Sequence, residues 1–560
     1  MELSVIEADR VLVYLGVFLA AFLIVQTDER RQRFAEGLAI AIALVALLGL
    51  TSRLLPHVLE VGESLGSGPR LRYPLGYWNA NGAMFGIGVA LLLWTSRRAA
   101  WKGLQWLSVA AMPALLLALY VTYSRGGLLA LAVAAGCTIA LSSDRLWMLA
   151  TLGVGAVGAL PAVLALQDRR SLADNIDVQA SIQQGVTVLL ILLAGIALAL
   201  LLFAVLRWAE RRGGELTGRA VALSRNRTVL KAIAAALALV AIAGAIAVGG
   251  RAWDQFSSSE AEFPYEAEKH FSEINGAGRH DFFRVAIDAF EEKPIAGIGA
   301  GTYIFAWDEH RSIERPVHDA HSLYLEAFAE LGAVGGLLVL FLVGWILWTG
   351  FRAWRAAQDP QRDRYAALFG VTLAFAVGAG IDWFWEIAAF GAVFFCAAAV
   401  LIAGRCAQLA RETGATSEGG GSERRFGLTV AGLAVSWIAA IALIGPLLVD
   451  REIEASRNAA DRGDFAAAVD HANTARSIEP FAASPYVQLG LLAELQRDYA
   501  TAKERLGEAI SREDRNWQLY YLRARVEHEA GEAAAAQADL AKARELNPRL
   551  ECLRSGWECG

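Results

Sequence analysis

Long apolar runs separated by short polar breaks dominate the first 450 positions. Twelve of these runs approach the length needed to cross a hydrocarbon core of about 30 Å. They lie at about 11–25, 36–52, 80–94, 104–122, 127–141, 146–166, 186–206, 229–249, 323–350, 366–381, 386–404 and 427–449. The pattern predicts an all-α, polytopic membrane protein with about 12 transmembrane helices. Two stretches break it. Residues 251–321 form the longest interval between runs, and helical spacing of Phe282, Phe283, Ala286, Ala289 and Phe290 predicts that this loop is folded and helical. From 450 onward the apolar runs give way to Ala, Arg and Glu with helical periodicity.

That tail also repeats. Gly463-Asp464-Phe465 returns as Arg497-Asp498-Tyr499 and as Gly531-Glu532-Ala533, each 34 residues on, and Ala468, Ala502 and Ala536 keep the interval. A 34-residue period with small residues at helix crossings resembles tetratricopeptide repeats and implies an α-solenoid of about three helix pairs. The expected division is 1–250 for the first eight spans, 251–322 for the large loop, 323–449 for spans nine to twelve, 450–549 for the repeats and 550–560 for a terminal tail.

Composition and charge then narrow the class. Of 560 residues 56% are hydrophobic and 19% charged, which excludes a purely soluble enzyme. Lys and Arg number 51 against 57 Asp and Glu, a net −6 too mild to argue for a nucleic-acid partner. The distribution of the bases carries more. Alternate loops assigned to one side hold 22 Lys and Arg, including the cluster from Arg207 to Lys231, and short loops on the other side hold seven. Because basic loops resist export, the first side is expected to be cytoplasmic. Both termini, the 251–321 loop and the repeat tail are then extracytoplasmic, on a multi-pass protein of the cell (inner) membrane. The acidic start from Met1 to Asp9 lacks the basic opening of a cleaved signal peptide, so the first span is expected to be retained.

Five cysteines are scattered. Cys137, Cys396 and Cys406 are expected as packing residues. Cys552 and Cys559 could close a small disulfide loop, which an extracytoplasmic tail allows. No Cys/His spacing suggests zinc.

Charge on the outer side is sparse, which singles out a few groups. Arg125, in Thr122-Tyr123-Ser124-Arg125-Gly126-Gly127, is held near bilayer depth by a short hairpin, where an unpaired guanidinium is costly. It reads either as an anion-binding group with accessible glycine N–H groups beside it or as an interfacial anchor. Arg279, His280, Asp281 and Arg284 open the amphipathic helix, ahead of Pro294…Gly297-Ile298-Gly299-Ala300-Gly301. That glycine string follows no predicted strand, so it reads as a tight turn and not a dinucleotide loop. His318 and His321 precede the ninth span in Pro316-Val317-His318-Asp319-Ala320-His321-Ser322. An imidazole at the membrane lip can take a proton from a sugar hydroxyl. A metal on this pair with Asp319 lacks a further ligand at suitable spacing, and a surface cluster without a role is the bland alternative. Asn79 and Asn81 could bind sugar hydroxyls or cap a turn, and Asp382 and Glu386 could orient a His or Arg.

At these residues the chain resembles the O-antigen ligase and O-antigen polymerase superfamily of bacterial membrane glycosyltransferases. The matching elements are Ser124-Arg125-Gly126-Gly127, the Arg279…Phe283…Ala286 segment, the glycine string and Ala320-His321-Ser322-Leu323-Tyr324-Leu325-Glu326…Glu330-Leu331-Gly332…Gly335. The Asn79-x-Asn81 pair is similar to a further family feature. The family commonly has Asn where this chain has Ser322, and an aromatic, usually Trp, where Phe283 stands. The resemblance covers roughly 10–405.

It implies a GT-C-like helical fold and metal-independent transfer of a glycan from a polyprenyl-diphosphate donor to an acceptor hydroxyl, without a cofactor. Carried over, Arg125 and Arg279 hold the donor diphosphate, with Arg284 beside them. His321 acts as general base or aligns the acceptor, and His318 and Asn81 support. The acceptor is a glycolipid, a glycan or a protein, which makes the chain a ligase, a polymerase or a protein O-oligosaccharyltransferase, with a protein partner expected through the tail. A transporter or flippase with a docking tail is the reading from another class. It would need ionisable groups or broken helices near mid-membrane, where these spans carry few.

Overall fold

The computed structural model describes residues 2–59, 70–173, 178–212, 276–413 and 421–550. The expected span at 229–249, the bases from Arg219 to Lys231, the start of the large loop and the Cys552–Cys559 segment lie outside these residues. Among the described residues the structure is helical throughout, without strands.

The first half contains α1 (Glu2–Ile24), α2 (Asp28–Leu54), α3 (Trp78–Arg98), α4 (Lys102–Val121), α5 (Arg125–Leu141), α6 (Arg145–Gln167), α7 (Arg170–Ala173) and α8 (Val178–Arg212). The loop and the later apolar helices are α9 (Arg279–Glu292), α10 (Tyr303–His310), α11 (Leu323–Ala356), α12 (Gln361–Ala379), α13 (Ala388–Glu412) and α14 (Gly421–Ala442). The tail contains α15 (Ile444–Asp461), α16 (Phe465–Ile478), α17 (Ser484–Leu495), α18 (Tyr499–Ile510), α19 (Trp517–Glu529) and α20 (Ala533–Leu546).

Seven helices among the described residues are long and apolar enough to cross a membrane: Asp28–Leu54, Lys102–Val121, Arg145–Gln167, Ala180–Arg212, Leu323–Ala356, Ala388–Glu412 and Val430–Asp461. The chain is a multi-pass membrane protein. The runs expected at 11–25, 80–94, 127–141 and 366–381 fall on α1, α3, α5 and α12, which are not among the seven. One reason is visible in α5, which at 17 residues is short for a perpendicular span.

The helices form two compact units. One comprises Val17–Ala277 and Phe341–Thr429. At its centre α3 is buried from Ala80 to Ser96 and packs against α2, α4, α5 and α12. Glycines permit the closest crossing: a Cβ on Gly127 would come within 2.7 Å of the Gly82 backbone. On α8, Leu190 and Leu201 stay exposed, as a face toward lipid tails requires. The end rich in bases is locked by ion pairs. Arg98 Nε donates to the fully buried Asp363 carboxylate at 2.7 Å, Ser142 Oγ donates to its other oxygen at 2.8 Å, and Arg97 pairs with Asp144 at 2.8 Å.

The other unit is discontinuous, comprising Met1–Gly16, Gly278–Leu340 and Val430–Gly560. Expected as separate loop and tail domains, these segments pack together. The tail folds as helix pairs α15/α16, α17/α18 and α19/α20. Each pair turns through a left-handed residue at the same repeat position: Gly463 (φ +78°), Arg497 (φ +61°) and Gly531 (φ +81°). In the first two turns the Asp that follows caps the next helix, with Ala467 and Thr501 N–H groups donating to Asp464 and Asp498 at 3.1 Å. Ala468, Ala502 and Ala536 are fully buried at the crossings. The loop docks on this tail through Trp517 Nε1, which donates to Asp308 at 3.1 Å, through an Arg515–Glu309 ion pair at 2.9 Å, and through Arg311, which donates to Asn547 Oδ1 at 2.9 Å. The first turn of α1 joins both. Ser4 Oγ donates to the Ala300 carbonyl at 2.8 Å, and the Glu2 carboxylate accepts from the N–H groups of Ala483 (2.8 Å) and Ser484 (3.0 Å) at the start of α17.

Candidate active site

In the discontinuous unit the site grows from a small core of Phe282, Val285, Ala286, Tyr303, Trp307 and Ala320. These residues are spaced to bury one face of α9 and one of α10 against the segment that leads into α11. Tyr303 donates its hydroxyl to the Phe282 carbonyl at 2.9 Å. Burial pushes its phenol well above the usual value, which keeps it a donor.

Arg279 is the first residue of α9, and Phe282, three positions on, lies on Trp307 (centroids 5.0 Å apart) and on the His321 ring (4.8 Å). His321 is half-buried in the left-handed region (φ +55°), a conformation uncommon for non-glycine residues and one that clusters at functional sites. Its Nδ1 lies 3.0 Å from the Asp319 carbonyl. A carbonyl oxygen only accepts, so Nδ1 carries the proton in the neutral ring and Nε2 carries the lone pair. The turn is fixed on both sides. Ala320 N–H donates to Glu326 at 2.8 Å, and Ser322, 2% exposed, accepts from the Leu325 N–H at 3.4 Å as it opens α11. Ser and Asn are both strong N-cap residues. Ser322 therefore serves as the cap of α11, a role that Asn can also fill.

The glycine string supports this segment from below. Gly297 (φ +72°) and Gly332 (φ +64°) face each other across a backbone contact. A Cβ on Gly297 would lie 2.3 Å from the Glu330 carbonyl carbon, and one on Gly332 would lie 2.2 Å from the Ile295 oxygen. Gly299 N–H donates to the Glu330 carbonyl (2.9 Å) and Ala333 N–H to the Pro294 carbonyl (2.8 Å), at the point where Gly332 kinks α11. Glu330 receives the Gly301 and Tyr303 N–H groups at 2.8 and 2.9 Å, a carboxylate at the start of α10. The string is thus a backbone lock between loop and helix.

Arg284 bonds Asp288 at 3.0 Å and the His310 carbonyl at 3.1 Å. His318 is exposed and lines a cavity between loop and tail.

The remaining expected residues belong to the other unit. Arg125 is exposed at the start of α5, whose cap Ser124 accepts from the Gly127 N–H at 3.0 Å. That N–H is therefore already bonded within the turn. Ser124 Oγ donates to Asn79 Oδ1 at 2.7 Å, Asn79 Nδ2 donates to Asp382 at 2.7 Å, and the Tyr77 hydroxyl donates to Asp382 at 2.8 Å. Asp382 thus anchors Asn79 and, through it, the cap beside Arg125. Asn81 is fully buried and clamps the preceding loop by donating to the carbonyls of Leu71 (3.2 Å), Arg72 (2.6 Å) and Tyr73 (3.2 Å). Sequence reasoning used Phe282 only for its helical spacing, passed over Tyr77, and counted Arg70 and Arg72 only as charge. Both guanidinium groups lie over Trp78, at 5.0 and 4.9 Å from the ring centre. A Tyr-Trp pair directly before Asn79 is the signal that would have drawn attention there.

Residues 187–340 match the family model described as O-Antigen ligase. The matched stretch contains Arg279, Arg284, His318 and His321, and leaves Arg125, the Asn79–Asp382 network and the repeat tail outside it. No curated protein matches the chain. The match supports O-antigen ligase-like glycan transfer by a membrane glycosyltransferase-like enzyme.

Proposed function

We propose that the chain transfers a glycan from a polyprenyl-diphosphate carrier to an acceptor hydroxyl on the outer face of the cell membrane, without a metal. One observation carries this reading. The first turn of α9 presents Arg279 and, three residues later, the Phe282 ring that lies against His321, so one rigid turn holds both a phosphate-binding group and the platform of a base.

In the reaction the acceptor oxygen attacks the anomeric carbon, the bond from that carbon to the diphosphate breaks, and His321 Nε2 takes the hydroxyl proton. The polyprenyl diphosphate leaves with the bond electrons. Arg279 offsets the charge that develops on it, because a guanidinium matches phosphate oxygens bidentately. Arg284 is a supporting cation. The resemblance gives Arg125 a diphosphate role that its own substitution tests. The unit that packs loop, tail and first turn together supports placing both termini on the same, outer side. The 34-residue repeats support a tetratricopeptide-like tail, and the helical membrane unit is compatible with a GT-C-like fold of about 12 spans.

Purified protein given a polyprenyl-diphosphate glycan and a panel of glycolipid, glycan and protein acceptors is expected to transfer in EDTA. Arg279→Ala and His321→Ala are expected to lose about 100-fold or more in rate. Full turnover in either variant at equal folded protein would remove its assigned role. The acceptor that is used separates ligase, polymerase and protein-glycosylating activity.

A further inference from the structure

Between the loop and the tail, wholly inside the discontinuous unit, lies a cavity of 340 Å³. Its loop wall contains Asp308, Arg311, Glu314 and His318, and its tail wall contains Trp517, Gln518, Asn547 and Arg549. The walls are tied together by the Trp517–Asp308 and Arg311–Asn547 hydrogen bonds, so the cavity exists only where the tail is docked. Its size falls at the lower end of the roughly 300–1,000 Å³ typical of small-molecule sites.

The chemistry of the walls selects among ligands. Two carboxylates face two guanidinium groups, so the lining has no formal net charge and an anion such as a diphosphate would meet Asp308 and Glu314. Donors and acceptors are both abundant, with a side-chain amide from each of Gln518 and Asn547. Trp517, half-buried, adds an aromatic surface. A neutral pyranose ring fits this combination. Its C–H face is apolar and packs on an indole, while its edge carries hydroxyls that both donate and accept. Neither an apolar ligand nor a polyanion uses all of these groups. The cavity is also linked to the chemistry, because His318 on its wall stands three residues before His321 on the same segment.

We propose that this cavity is a second carbohydrate subsite, in which a sugar ring of the glycan strand packs on Trp517 and bonds to Gln518 and the charged rim. The identity of the sugar as part of the transferred or accepted strand rests on the glycan-transfer reading; the binding of a neutral sugar does not. The subsite would hold the strand away from the reacting bond, so that affinity grows with strand length while the chemistry stays at His321.

The test uses the full-length protein in lipid nanodiscs. The probe is the glycan freed by mild acid from the native lipid-linked pool, followed by saturation-transfer difference NMR, with inorganic pyrophosphate as competitor. Wild type is expected to bind the glycan saturably, and pyrophosphate is expected not to displace it from the subsite. Trp517→Leu and the exposed Gln518→Ala should each weaken binding about tenfold or more, and Trp517→Phe, which keeps an aromatic ring, should weaken it less than Trp517→Leu. An unchanged melting temperature in Gln518→Ala separates loss of contact from loss of docking. No saturable binding by wild type, full binding in Trp517→Leu or in Gln518→Ala, or displacement by pyrophosphate would overturn the proposal. Transfer by wild type is assayed in parallel. Binding without transfer would sink the enzymatic reading alone, and transfer without Trp517-dependent binding would sink the subsite alone.

Discussion

The Phe282 ring lies 4.8 Å from the His321 ring, centre to centre, and its backbone carbonyl is held by the Tyr303 hydroxyl. On the proposed reading, Phe282 acts on the reaction through His321 as a positioning residue. Phe282→Leu keeps an apolar group in the core but removes the flat surface under the imidazole. Transfer is expected to fall about 10–100-fold, as a misplacement near 1 Å does, with the loss in kcat and little change in KM for the donor. Phe282→Tyr should retain most of the rate. Initial rates over a donor series at equal folded protein check this.

Ser322 opens α11 as its cap and is buried. Ser322→Ala is expected to cost about 1 kcal/mol of stability, whereas Ser322→Asn should stay within about 0.5 kcal/mol of wild type. Denaturant or thermal unfolding in detergent reads the difference. A loss of transfer in Ser322→Asn at unchanged stability would show instead that this position touches substrate.

The facing glycines predict a strong, non-additive pair. Gly332→Ala places a methyl group 2.2 Å from the Ile295 oxygen in a left-handed residue, and Gly297→Ala does the same against the Glu330 backbone. Each should destabilise the discontinuous unit by about 3 kcal/mol or more, through clash plus backbone strain. Because both break one contact, the double variant should lose markedly less than the sum. Protease sensitivity of the 278–340 region measures all three.

Asp308 predicts a pH dependence for docking of the tail. Burial raises its carboxyl above the usual value, against the lowering influence of Arg311 and of the Trp517 hydrogen bond. The docked state therefore binds this proton more tightly than the undocked state. Docking should weaken as pH rises through the window from the ordinary carboxylate value near 4 up to the raised docked value, and level off above it. Asp308→Asn should flatten that window. Hydrogen exchange of α19 and α20 across pH 4–8 follows it, and an Asp308→Asn profile identical to wild type would assign the dependence elsewhere.

The Asn79–Asp382 network makes a separate prediction for the membrane unit. Asn79→Ala removes the group that joins the cap Ser124 to Asp382, and transfer should drop about tenfold or more. Asn81→Ala removes the two amide N–H groups shared among the Leu71, Arg72 and Tyr73 carbonyls, from a fully buried side chain. That should appear mainly as about 2–3 kcal/mol of lost stability, at about 1 kcal/mol per buried hydrogen bond. Melting curves beside transfer rates distinguish the two asparagines.

Much of this architecture is written locally. The apolar runs mark α2, α4, α6, α8, α11 and α13, and the 34-residue interval marks turns in which Gly463, Arg497 and Gly531 share one backbone conformation. The string from Ala320 to Glu326 marks the turn that holds His321. Other features have no local signature. The run at 80–94 reads like any other span, yet α3 is enclosed by helices, because protein interior and lipid tails are equally apolar. Docking of the tail rests on Trp517–Asp308 and Arg311–Asn547, pairs more than 200 positions apart. The left-handed His321 follows from constraints on either side, a carbonyl two residues back and a capped helix one residue on, and neither is a property of histidine itself. Asn79 and Asn81 look equivalent in sequence. Register on α3 separates them, turning one toward Asp382 and the other toward backbone carbonyls.

The Glu2 carboxylate that caps α17 has a consequence for biosynthesis. Its partners, Ala483 and Ser484, are made more than 480 residues later, so the discontinuous unit cannot close until α17 has been synthesised. The opening turn therefore has to wait for all the helices from α2 to α16 to be made before it meets its partners on the repeats. Assembly of the unit that contains His321 is thereby deferred until its distant repeat helices have been made, which ties its maturation to synthesis of the repeats.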